Sequence, residues 1–131
     1  MILEIATDRR TQLADVTARV CEAVAGATGV VTLFVPHTTA GVAVQAAGDG
    51  AAHVAADVET ALDGLVDEAA PWLHLDEGDR NPWSHIRAVL TASSLTIPLL
   101  DGRPALGDHQ AIFLCEFDGP RTRRLHVAVH G

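Results

Sequence analysis

The chain has 131 residues, 48% of them hydrophobic, with 17 acidic residues against nine basic ones and a formal net charge of −8; this is the composition of a globular protein and a length suited to one domain. All nine basic residues are arginine, and lysine and tyrosine are absent, which excludes a Schiff-base lysine, a lysine-bearing phosphate loop and a catalytic tyrosine, while the acidic balance argues against a nucleic-acid partner. No apolar run reaches the roughly 18–20 residues that span a bilayer. Met1 to Ile5 lack the basic head and cleavage site of a signal peptide, and Cys21 and Cys115 are too few for a disulfide framework. The expectation is a cytoplasmic protein with no membrane partner and with both cysteines reduced and buried.

In chain order, Ile2 to Ala6 reads as a short strand. Asp15 is a candidate N-cap for a helix whose apolar stripe is Val16, Val20 and Val24, with Gly26 and Gly29 ending it. Val30 to Val35 is β-branched and apolar, hence a strand, and Pro36 stops it. His37-Thr38-Thr39 follows as a polar turn, and Gly41 to Val44 suits a further strand. Ala51 to Val66 carries a helical stripe of Val54, Val58, Ala61, Leu62 and Leu65. Residues 70 to 83 are irregular, a length of loop that is uncommon in a small domain and often functional. Ser84 is a candidate cap for a short helix ending near Ala92. Leu95 to Leu100, Ala111 to Phe117, and Leu125 to His130 read as strands, with turn signals at Asp101-Gly102 and Asp118-Gly119-Pro120. Helices and strands are segregated, so the expected class is α+β, with mixed or antiparallel sheets, helices packed on the sheet and a C-terminal antiparallel meander.

Seven histidines stand out: His37, His53, His74, His85, His109, His126 and His130. Histidine ligates metals and carries protons near neutral pH, but no HExxH, CxxC or phosphate-loop pattern accompanies them. His37 is delivered by an apolar strand into a turn with two threonines, where imidazole, hydroxyls and backbone N–H groups can meet an anion; the alternative is a polar strand end with capping threonines. His74, Asp76, Glu77, Asp79 and His85 bring two imidazoles and three carboxylates into 12 positions, a ligand mixture that zinc accepts and whose carboxylates suit magnesium; the alternative is a solvated acidic loop. Glu116 lies in an apolar strand, so it must be paired or catalytic. Arg121, Arg123 and Arg124 can supply its partner, clamp a phosphate, or form an exposed hairpin. His126 and His130 share a strand face with Ala128 and are expected at solvent or a subunit contact.

Taken together, several segments resemble one family. Phe34-Val35-Pro36-His37-Thr38-Thr39-Ala40 resembles the signature of the YjbQ-like proteins, also called the secondary thiamine-phosphate synthase family. In the same order come Asp49, Asp57, Pro71-Trp72-Leu73-His74 with Asp76, Asn81-Pro82, His85-Ile86-Arg87 and Ser93 to Pro98. Asp101-Gly102-Arg103, Leu106-Gly107, Gln110, Leu114-Cys115-Glu116 and Arg124 complete a match over nearly the whole chain. The resemblance implies a compact α+β domain assembling as a homotrimer. It also implies a weak coupling of hydroxymethylpyrimidine diphosphate with thiazole phosphate, releasing pyrophosphate.

Carried over residue by residue, the resemblance implies catalytic His37, His85 and Glu116. Substrate contacts are expected from Thr38, Thr39, Asn81, Gln110 and Arg124, and the chemistry of the set suggests a metal or phosphate pocket, with a divalent metal, Mg or Zn, at His37, His74, His85 and Asp76. Asp57 belongs to the same polar set. The chain departs from the pattern twice. Gln45-Ala46 stands where the family reads Asn-Glu, and Gly107-Asp108-His109-Gln110 stands where it reads Gly-Thr-Trp-Gln. The alternative to coupling is therefore a metal- or phosphate-binding trimer without that activity.

Overall fold

The computed structural model describes residues 1–76 and 80–131; Glu77 and Asp79 of the acidic loop, singled out above, lie outside the described residues with Gly78. The elements are β1 (Ile2–Ala6), β2 (Gln12–Asp15), α1 (Thr17–Ala23), β3 (Val30–Phe34), β4 (Ala40–Ala46) and α2 (Ala51–Leu65). They continue with α3 (Pro82–Leu90), β5 (Ser94–Leu100), β6 (Arg103–Pro104), β7 (Gln110–Glu116) and β8 (Thr122–His130). The fold is α+β, with antiparallel pairing in both sheets. A five-stranded sheet runs β1-β8-β3-β5-β6 and a three-stranded sheet runs β2-β7-β4.

Burial patterns explain this division. In β8, Arg123, Leu125 and Val127 are buried while Arg124 and Ala128 are exposed, the alternation of a strand with one covered face. In β7, every residue from Ala111 to Glu116 is buried, so this strand needs cover on both sides. It obtains that cover as the centre of the three-stranded sheet. Ile112 and Leu114 join Val31, Leu33, Leu125 and α1's Val20 in one core. Ala111, Phe113 and Cys115 join Leu13, Phe117 and α2's Leu62 in a second. The small sheet is thus a middle layer between the large sheet and α2, and each fully buried aliphatic side chain in these cores contributes about 1.5–3 kcal/mol.

The C-terminal strands therefore do not form one continuous meander. β5 and β6 make a hairpin, but β7 crosses to the small sheet and β8 returns to lie between β1 and β3. Two short strands, β2 and β6, carry too few residues to show a period. Asp15 ends β2 instead of standing at the N-cap, which is Val16; its carboxylate accepts the N–H of Thr17, two residues on, at 2.9 Å. The third helix starts at Pro82 rather than behind Ser84, because proline suits the first helical position, where no N–H is required. Ser84 is fully buried and its hydroxyl donates to the Phe117 carbonyl at 2.6 Å. Both cysteines are free, but Cys21 is only half-buried. No described helix is long and apolar enough to cross a membrane.

Candidate functional site

The site begins where β3 ends. Val35 N–H still pairs with the Ser93 carbonyl at 2.8 Å, but Pro36 breaks the strand and the chain turns through His37, Thr38 and Thr39 into β4. The neighbouring strand β8 runs on past this point. Val127 N–H points to Met1 on the β1 side, so by the alternation of an antiparallel strand the N–H of Arg124 faces the β3 side. With β3 gone, that donor needs another acceptor. His37 supplies it: Nε2 accepts the Arg124 N–H at 2.9 Å.

Behind the turn lies a buried ion pair. Glu116 is 0% exposed and Arg123 3%. Arg123 Nε donates to both Glu116 oxygens, at 2.8 and 3.0 Å, and Nη2 binds Glu116 Oε2 and the Thr39 hydroxyl, the latter at 2.8 Å. Glu116 also accepts from the Thr7 hydroxyl and from the N–H groups of Phe117 and Asp118. The charge that an apolar strand cannot bury alone is therefore paired and fully bonded, and Arg123 carries that order to the turn through Thr39.

Helix α3 forms the opposite wall. Arg87, 1% exposed, donates to the carbonyls of Val66 and Asp63 and to Glu68; it ties α3 to the carbonyl end of α2, where a cation is favoured. Together with the Ser84–Phe117 bond, this holds His85 opposite His37. At the start of α3, Asn81 donates to Asp118 Oδ2 at 2.8 Å, while its own Oδ1 is buried without a hydrogen-bond partner among the described residues. Asp118 also accepts from Arg121 Nη2 at 2.7 Å.

Two hollows open between these walls and share His37, Thr38 and His85. One, of about 300 Å³, is polar: Thr39, Asn81, Asp118, Arg121 and Arg123 complete it. The other, of about 520 Å³, is completed by Ala40, Ala88, Val89, Thr91 and Ser93 and is more apolar. A third, of about 320 Å³, lies on the other side of His85 among Trp72, Leu73, His74, Pro82 and Ile86. Burial and the Arg123 guanidinium push the His37 pKa below its ordinary value, with Glu116 opposing, so the neutral ring is favoured. Burial pushes the Cys115 thiol up to about 12, which makes it an inert core group.

The structure thus brings together His37, Thr38, Thr39, Asn81 and His85. Glu116 reaches the cleft only through Arg123, and Arg124 contributes its backbone N–H. His74 stands beside His85, with ring centroids 5.1 Å apart, and its Nδ1 is bonded to Asp76 at 2.9 Å. Gln110 is not in the cleft. It sits at the opposite end of β7 from Glu116, six strand residues or ~20 Å away, together with His109 and, across the β4–β7 ladder, Ala46. Asp118 was legible only as a turn residue; its place beside Asn81 depends on α3 docking against the β7–β8 connection. Among the described residues no three His, Cys, Asp or Glu side chains converge to hold a metal ion. Of the expected set of His37, His74, His85 and Asp76, His37 Nε2 is engaged by the Arg124 N–H and His74 Nδ1 by Asp76.

The model of the family described as UPF0047 protein YjbQ-like matches residues 1–131. The chain belongs to the YjbQ (UPF0047) family. A UPF0047 protein of Methanothermobacter thermautotrophicus is 35% identical over 98% of this chain and 90% of its own. The UPF0047 protein YugU of Bacillus subtilis is 34% identical over 98% and 97%. Among solved structures, the conserved hypothetical protein TT1486 from Thermus thermophilus superposes with a TM-score of 0.89 at 38% identity, covering 99% of each chain. An uncharacterized YjbQ/UPF0047 protein from Clostridium acetobutylicum gives 0.90 at 32%, again over 99% of each. The family resemblance read from the HTTA turn is therefore shown over the full length, and the α+β fold is that of the YjbQ family structures.

Proposed function

We propose that the cleft binds a small phosphorylated molecule. Its phosphoryl end would lie among Arg121, Arg123 and the His37–Thr39 turn, and its apolar body against Ala88 and Val89. The observation that carries this reading is the junction of a polar, arginine-lined hollow with a more apolar one at His37 and His85. Arginine is the planar donor suited to phosphate oxygens, and the chain has no lysine to share that work. The unpartnered Asn81 Oδ1 calls for an N–H or O–H on the ligand.

Within this reading, the reaction proposed on the family resemblance is formation of thiamine phosphate. A thiazole nitrogen lone pair attacks the pyrimidine methylene carbon, the carbon–oxygen bond breaks, and pyrophosphate leaves with the electron pair. Arg121 and Arg123 would stabilise the charge growing on that leaving group. Magnesium enters as part of the diphosphate substrate, in keeping with its preference for phosphate and water ligands. Purified protein is expected to form thiamine phosphate from the two substrates with Mg²⁺, and His85→Ala to lose most of that activity. Product no higher with wild type than with the variant rejects coupling.

The second reading is phosphate-ligand binding without coupling; the departures at Gln45-Ala46 and at Gly107 to Gln110 favour it where a neighbouring copy brings them to the cleft, since in this chain they lie at the far end of the β4–β7 pair. It predicts pyrophosphate binding in calorimetry with no product in the coupling assay. The homotrimer is proposed on the outer face of the large sheet, where half-buried Thr32 and exposed Thr96 and Ala128 present small uncharged side chains.

A further inference from the structure

The contact between His37 and Arg124 decides more than the position of the ring. A backbone N–H can only donate, so the nitrogen that receives it must carry a lone pair. Nε2 of His37 receives the Arg124 N–H at 2.9 Å. In a neutral imidazole the proton then resides on Nδ1. Nδ1 makes no hydrogen bond with any described residue, and the ring lines both halves of the cleft.

We infer that His37 is held as the Nδ1–H tautomer and serves as a neutral hydrogen-bond donor to an anionic oxygen of the ligand, with the Arg124 backbone N–H as the group that positions it. The inference rests on the phosphorylated-ligand reading for the identity of the acceptor, but not for the tautomer. Its consequences are specific. Nε2 is not available as a metal ligand or as a proton acceptor while the strand contact holds. A neutral donor also adds no positive charge beside Arg121 and Arg123, which line the same hollow. The lowered pKa agrees, since it keeps the ring uncharged near neutral pH.

Two measurements test this. In protein labelled with ¹⁵N-histidine, imidazole proton–nitrogen correlation spectra near pH 7.5, assigned with His37→Gln, are expected to show the proton on Nδ1 and a bare Nε2. A proton on Nε2 overturns the inference whatever the protein binds. Calorimetric titration with inorganic pyrophosphate gives the second readout. The amide nitrogen of His37→Asn lies near the place of Nδ1, so this variant is expected to bind within about threefold of wild type. His37→Gln keeps an acceptor for Arg124 but no donor at Nδ1, so it is expected to weaken binding by about tenfold or more, the worth of one hydrogen bond to a charged group. Equal binding by His37→Gln and wild type overturns the donor role. Failure of wild type to bind pyrophosphate rejects both the donor role and the phosphorylated-ligand reading, while the spectra still decide the tautomer.

Discussion

Glu116 has no exposed surface, and its two oxygens accept from Arg123, Thr7 and the N–H groups of Phe117 and Asp118. Removing one partner of such a pair leaves the other charge buried and uncompensated, which costs about 3–5 kcal/mol. Glu116→Gln is therefore expected to lower unfolding free energy by about that amount in urea denaturation. A loss below about 1 kcal/mol would mean that the pair is hydrated in solution. His37 sets a pH dependence of the opposite kind to that of a salt-bridged histidine. Its folded pKa lies below the ordinary value, chiefly through burial and Arg123, so the unfolded chain binds a proton more readily than the native one. The contribution is fully present above the unfolded value of about 6.5 and is lost as the pH falls from there through the folded value. Wild type should lose more stability than His37→Gln between about pH 7 and 5; parallel curves would show that the ring titrates normally.

At the scale of elements, the cleft depends on how closely β4 approaches the segment after α3. Val42 N–H pairs with the Ala92 carbonyl at 2.8 Å. Gly41 lies within that approach: a Cβ there would overlap the Thr91 side chain and come within 2.8 Å of the Ala92 carbonyl. Thr91 and Ser93 line the larger hollow. Gly41→Ala is expected to cost about 1–3 kcal/mol by overpacking and to weaken pyrophosphate binding by displacing this wall. An unchanged melting temperature would show that Thr91 yields without moving the backbone. The strands around this segment were readable from β-branched runs and from Pro36. The pairing was not, because β4 meets β7, some 70 positions later in sequence, and a strand's period says which face is buried but not which strand lies beside it.

At the scale of the molecule, one side of the large sheet packs on the core, and on the other Thr96 and Ala128 are exposed and Thr32 is half-buried. Thr32 and Thr96 face each other across β3 and β5 with hydroxyl oxygens 3.4 Å apart, and Ala128 lies opposite Thr32 on β8. The middle of that face, with Thr32, Thr96 and Ala128, presents small, uncharged side chains on which a second copy can pack, while Glu4 and Arg124 lie paired toward its β1 edge. If the proposed trimer uses it, light scattering coupled to size exclusion is expected to give three times the chain mass of 13.8 kDa. Ala128→Arg should shift the mass to that of a monomer; a trimer unaffected by the change would place the contact elsewhere. Assembly would also bear on Gln110 and Ala46, which lie ~20 Å along the β4–β7 pair from the His37 turn. Within one chain they cannot touch a ligand that His37 holds, so an effect of Ala46→Glu on activity would require a neighbouring copy.

Composition, periodicity and punctuation determined that this chain forms segregated helices and antiparallel strands. They also set His37 at a strand-ending turn and required a partner for Glu116, because these are local consequences of side-chain shape and of the cost of burying charge. Tertiary structure alone decided that Arg123 is that partner, that β7 lies between two cores, and that Asn81, His85 and Asp118 face the turn. The same holds for the Arg124 N–H on Nε2 of His37. Each of these joins residues from distant parts of the chain, and which donor faces which acceptor follows from strand order and register, which no local pattern encodes.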